Sequence, residues 1–175
     1  RAEIRRRFDA NPRGGGAGLG AAHETSFMID QIIRCLFDYA VEHAYPLPNP
    51  TSAARLGLAA VGGYGRGELA PASDIDLLFL LPYKLTPHGE QVVEFILYLL
   101  WDLGLKVGHA ARSVDECIRQ AERDVTIRTN LLEARYLWGE QSLYEQFRGR
   151  FDREIVKGKG EAFLKDKLAE RHARH

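Results

Sequence analysis

Sulfur is scarce in this chain: one methionine and two cysteines in 175 residues. Cys35 and Cys117 stand in separate helix-like segments with no metal-type spacing, which excludes a disulfide framework and a cysteine zinc site. Both are expected to be buried small hydrophobes of a reducing, cytoplasmic compartment. Surplus charge is missing too. Lysine plus arginine number 24, aspartate plus glutamate 24, for a formal net charge of zero. That balance argues against nucleic acid as a partner, because its binders carry a basic excess. No apolar run reaches membrane-spanning length; the longest, "VVEFILYLLWDLGL", is interrupted by Glu94 and Asp102. No secretory leader is visible. The chain opens on Arg1 without a methionine and stops inside the helix-like "KDKLAERHARH". An excerpt of a longer protein is therefore expected, and missing address signals carry little weight.

What remains is ordinary globular material, 45% hydrophobic and 27% charged. Three stretches divide it: an N-terminal arm and helix over 1–50, a core over 51–140 and a helical extension over 141–175. Glycine crowds "NPRGGGAGLG" (Asn11 to Gly20), which predicts irregular chain there. From Thr25 to Ala44 the residues Met28, Ile32, Cys35, Leu36 and Tyr39 recur at helical spacing. Pro46, Pro48 and Pro50 then make a stiff linker.

"LGLAAVGG" (Leu56 to Gly63) reads as a short buried strand ending in a glycine turn, and "DIDLLFLL" (Asp74 to Leu81) as a central strand, apolar on both faces. Thr86-Pro87 opens a helix that Gly104 closes. On that helix Phe95, Tyr98 and Trp101 are expected in the core. A third strand follows over "LKVGHAAR" (Leu105 to Arg112). Ser113 and Glu116 then form a capping box for a helix running to about Asp124. "NLLEARYLWG" (Asn130 to Gly139) fits strand or helix. The rest is helical, with breaks expected at Gly149 and around "KGKG". The resulting class is α+β, a small mixed sheet flanked by helices with a helical C-terminal extension.

The chemistry concentrates at "AAVGGYGRGELAPASDIDLLFLL" (Ala59 to Leu81). Asp74 and Asp76 are two apart on a strand, so their side chains share a face, and they repel unless a cation lies between them. Oxygen-only ligands with room for water suit Mg²⁺ or Mn²⁺, and magnesium is usually shared with substrate phosphates. Gly62 and Gly63 end the preceding strand, where bare backbone amides can approach phosphates closely. A phosphate cradle and a carboxylate pair in one window point to nucleotide chemistry. Arg66 is either a further phosphate contact or a solvated turn arginine. Ser73 offers a hydroxyl to phosphate or caps the turn.

Gly62-Gly63, ten intervening residues and Asp74-x-Asp76 resemble the signature of the polymerase-β-like nucleotidyltransferase superfamily. The longer string "GGYGRGELAPASDIDLLFL", with "LWDLGLKVGHAAR" and "LLEARYLWG" behind it, resembles the branch of uridylyltransferase/uridylyl-removing enzymes that act on the PII nitrogen-signalling protein. The resemblance implies the polymerase-β-like fold and transfer of UMP from UTP to a tyrosine of PII, with release of pyrophosphate. It implies metal ions on Asp74 and Asp76 and the triphosphate on Gly62 and Gly63. The superfamily's third carboxylate is missing from "LKVGHAAR". Glu133 is the candidate for it, as metal ligand or as base toward the acceptor hydroxyl; alternatively it pairs with a nearby arginine such as Arg135. His109 either approaches the nucleotide or is structural. His172 and His175 lack the His-Asp pair of a hydrolase site, so the transferase portion alone is expected. Transfer to another acceptor, and an idle nucleotide- or PII-binding module, are the competing readings.

Overall fold

The computed structural model describes residues 2–10, 17–70, 72–158 and 167–168. Four strands form one mixed sheet in the order β3-β2-β1-β4. They are β1 (Gly57–Ala60), β2 (Ile75–Leu81), β3 (Val107–Ser113) and β4 (Arg135–Gly139). β1 pairs antiparallel with β2 and β4, while β2 pairs parallel with β3. A parallel pair needs a crossover, and α4 (Pro87–Asp102) supplies it. Thr86 caps that helix by accepting from Gly89 N at 3.1 Å, and Pro87 at its first position forfeits no hydrogen bond.

Alternation along β2 decides the layers. Ile75, Leu77, Phe79 and Leu81 point toward α4 and the long α2 (Ala17–Tyr39), joining Ile29, Ile33, Val92 and Ile96. Leu78 and Leu80 point the other way, onto α5 (Val114–Arg123), α6 (Val125–Leu132) and α7 (Gln141–Phe151), among Cys117, Ile118, Leu131 and Phe147. β2 is therefore buried on both faces, as its unbroken apolar run predicts. Each such Leu or Phe contributes about 1.5–3 kcal/mol by leaving water. Asp76 is in phase with Leu78 and Leu80, which sets its carboxylate on the α5–α6 face. Among the described residues no helix is long and apolar enough to cross a membrane.

Several expectations need correction. α2 starts at Ala17, so Ala17–Gly20 is helical despite its glycines; residues 11–16 lie outside the described chain. Its buried stripe is Ile29, Ile33, Phe37 and Ala40, shifted from the stripe expected. Cys35 and Tyr39 are consequently exposed, and only Cys117 of the two cysteines is buried. The helix continues as a π-helical turn through Ala40–Ala44. On α4 the core face is Val92, Val93, Ile96, Leu97 and Leu100, which leaves Tyr98 and Trp101 in solvent and Phe95 half-buried. α7 runs unbroken through Gly149. "NLLEARYLWG" is both things: its first residues end α6 and Arg135–Gly139 are β4. The short α1 (Ala2–Ala10) precedes all of this. His172 and His175 lie outside the described residues.

Candidate active site

After β1 the chain enters a single helical turn, α3 (Gly62–Gly65). Gly62 takes φ +57°, a left-handed conformation that glycine adopts without steric cost. The leading amides of a helical turn have no partner within it. Val61 at the N-cap offers them no side-chain acceptor either.

Asp76 lies directly against this turn. A Cβ on Gly62 would stand 3.1 Å from Asp76 Oδ2, and a Cβ on Gly108, across the ladder on β3, would stand 2.7 Å from Asp76 Oδ1. Both positions leave the room that the carboxylate fills. Asp74 is exposed one step before β2. Among the described residues neither aspartate has a salt bridge or a side-chain hydrogen bond, although the protein pairs most of its arginines. Burial first, and the charge of Asp74 second, push the Asp76 carboxyl above the usual carboxylate range. A cation at that position would relieve both effects. The donor set, Asp76 in an open cleft with the exposed Asp74 near enough for its charge to be felt, fits a hard divalent ion completed by water and substrate oxygens. Among the described residues no group of three or more His, Cys, Asp or Glu could hold a metal by itself. A cleft of about 290 Å³ opens here, lined among others by Val61, Asp76, Gly108, Asn130 and Leu131.

Arg66 follows the glycine turn and is held by Glu133 Oε2 at 2.6 Å and Glu68 Oε2 at 3.5 Å. Those carboxylates, Glu133 foremost, raise its guanidinium further. A Cβ on Gly63 would lie 3.6 Å from Arg66 Nη2, so the guanidinium flanks the turn. Glu133 thus pairs with a nearby arginine, as the alternative had it, but that arginine is Arg66 and not Arg135. Arg135 instead forks onto Asp30 of α2, at 2.7 and 3.1 Å. Ser73 donates its backbone N–H to Ala70 O at 3.1 Å, closing the turn ahead of Asp74, and its side chain is exposed. His109 is exposed, borders the cleft, and meets the Trp101 ring edge-on at 6.4 Å between centroids.

Underneath the turn lies a polar support that sequence reasoning missed. Tyr64, 1% exposed, donates to Asp30 Oδ1 at 2.5 Å. Arg135 reaches Asp30 as above and also donates to Gly65 O at 3.2 Å and Tyr64 O at 3.3 Å. Burial, then Asp30, pushes the Tyr64 phenol upward, so it stays a donor at any ordinary pH. Leu69 N donates to Ser26 Oγ at 2.9 Å. Gly65 completes the clamp: a Cβ there would sit 2.1 Å from Glu133 O. α2 and β4 thereby fix the backbone of the glycine turn relative to Asp76. Gly108 and Asn130 also escaped notice; the Asp124 N-cap, accepting from Thr126 N and Ile127 N, is the signal that locates α6 and with it Asn130.

Set beside known proteins, residues 51–137 match the model of the nucleotidyltransferase domain family, and the chain belongs to that family. The mixed four-stranded sheet with its helices is the polymerase-β-like fold of such domains. Over all 175 residues the chain is 59% identical to the "Bifunctional uridylyltransferase/uridylyl-removing enzyme" of Azospirillum brasilense. Identity to the protein of the same name from Rhodospirillum rubrum is 58%. In both cases the whole chain matches but spans 18% of the relative's length.

Proposed function

We propose that the protein transfers UMP from UTP to a tyrosine hydroxyl of the PII nitrogen-signalling protein and releases pyrophosphate. The tyrosyl oxygen forms a bond to the α-phosphorus, the bond from that phosphorus to the bridging oxygen breaks with the electron pair leaving on pyrophosphate, and the hydroxyl proton passes to water. The observation that carries the reading is the pair Asp74 and Asp76, one wedged between Gly62 and Gly108, with no cation partner among the described residues. Identity to the uridylyltransferases over the full chain supports the choice of UTP, and the motif resemblance supports PII.

Asp74 and Asp76 would hold Mg²⁺ or Mn²⁺, which supplies charge neutralisation at the phosphoryl oxygens when bound. The amides of Gly62 and Gly63 bind the phosphate chain, and Arg66 adds a cation at its flank. Glu133 serves the site through Arg66, as the anion that aims the guanidinium. Ser73 shapes the approach to Asp74.

The test is incubation with labelled UTP, magnesium and PII. Asp74→Asn combined with Asp76→Asn abolishes labelling while leaving a cooperative thermal transition; labelling that persists refutes the assignment. Without metal, Asp76→Asn alone raises the melting temperature, because it removes a desolvated like charge from the fold. A melting temperature that falls would show that Asp76 already has a stabilising partner. That no three-acid group forms among the described residues favours one other reading, an idle nucleotide- or PII-binding module. Metal-dependent UTP binding by the unmodified protein without turnover would establish it.

A further inference from the structure

The arginines of this protein are nearly all engaged. Among the described residues only Arg112, Arg119 and Arg123 have neither a carboxylate nor a carbonyl partner. These three line one cleft of about 390 Å³ together with Ala111, Glu116 and Gln120. Glu116 is the only acid there, and its carboxylate is occupied in the capping box, accepting from Ser113 N at 2.8 Å. Arg119 and Arg123 are exposed and lie one helical turn apart on α5, about 6 Å along its axis. Three guanidinium groups around one carboxylate that none of them pairs with leave a positive excess, which argues that something anionic relieves them.

Two features identify the anion. The cleft runs along β3, the last strand of the sheet, whose outer backbone edge has no ladder partner among the described residues. Such an edge accepts an extended polypeptide. The second feature is position: Arg112 lines both this cleft and the one holding Asp76, so the two are neighbours that meet at that side chain. Nucleotide phosphates already have the glycine turn and Arg66 beside Asp76. Guanidinium forks match carboxylates in pairs. We infer that the Arg112–Arg119–Arg123 cleft docks an extended, Asp/Glu-bearing segment of the acceptor protein and so delivers its hydroxyl to Asp76. The inference rests on the proposed transfer to a protein acceptor.

The experiment is the double charge reversal Arg119→Glu with Arg123→Glu in the intact protein, with labelling of PII followed by steady-state kinetics. The expected result is a KM for PII raised about tenfold or more and a weaker salt dependence. The kcat and the affinity for UTP measured with manganese stay unchanged. A loss of UTP affinity would make the cleft a phosphate subsite, and unchanged KM would make it no site; either overturns the inference. A second arm separates this from the reading beneath it. A fluorescein-labelled glutamate-rich peptide is titrated against both proteins, with inorganic pyrophosphate as competitor. Binding that the double variant loses and pyrophosphate displaces only weakly supports the cleft, even if PII fails as acceptor. A peptide that binds both proteins equally, or neither, overturns it.

Discussion

Removing the Asp30 carboxylate with Asp30→Ala tests whether the glycine turn depends on what lies below it. Asp30 takes the phenolic proton donor of Tyr64 and both ends of the Arg135 fork. Its side chain is 10% exposed, whereas that of Arg135 is 32% exposed. Breaking a buried pair costs about 3–5 kcal/mol. Arg135 retains solvent access and two backbone acceptors, Gly65 O and Tyr64 O, so the loss belongs at the low end, about 3 kcal/mol. For a domain of this size each kcal/mol lowers the melting temperature by about 2–4 °C, which makes the expected fall roughly 6–12 °C. Stability alone does not separate a local support from a general one, so a comparison variant is needed. Asp38→Ala removes a carboxylate of the same helix that accepts from Trp138 Nε1 at 2.5 Å, away from the turn. It destabilises as well, by about 1–3 kcal/mol. Nucleotide affinity with manganese is then measured well below both midpoints. Asp30→Ala weakens it about tenfold or more, a loss of about 1.4 kcal/mol, and Asp38→Ala leaves it unchanged. Equal affinities in the two variants would refute the idea that α2 and β4 hold the turn in its working shape.

Gly108→Ala places a methyl 2.7 Å from Asp76 Oδ1, closer than folded proteins tolerate, and the carboxylate must swing away. Metal-dependent UTP binding drops sharply in this variant while far-ultraviolet circular dichroism is preserved; retained binding would show that Asp76 needs no fixed position. With a thiol reagent under native conditions, Cys35 reacts at once and Cys117 does not, since burial pushes the Cys117 thiol up to about 12. Raising pH toward that value increases the thiolate fraction of Cys117 without exposing it, so one modified cysteine per chain by mass spectrometry at pH 8 is expected, and two only after denaturation.

The parts that could be read in advance are those whose signal is local. The Asp74–Leu81 strand announces itself by an apolar run behind two carboxylates, and the Ser113–Glu116 cap by a four-residue pattern, and both stand in the structure. The phase of α2 could not be read the same way. Ile32 and Ile33, and Leu36 and Phe37, offer two neighbouring stripes, and only packing against β2 chooses Ile33 and Phe37. α6 was missed because Thr126, Arg128, Thr129 and Asn130 scatter polarity around it. The support for the turn was invisible for a different reason: Asp30 and Arg135 are 105 residues apart, and neither sits in a pattern until the sheet brings them together. Gly108 likewise carries no signal of its own within "LKVGHAAR". Its purpose appears only when the parallel register sets it beside Asp76.

The placement of Asp76 on β2 has a mechanical consequence. Every other residue of that strand is buried, and both neighbouring strands are bonded to it. Reactive groups in many enzymes ride on loops that loosen long before the molecule melts. Here the carboxylate is carried by a buried central strand, the kind of segment that opens only with the whole domain, so its position is expected to survive heating until the domain gives way at once.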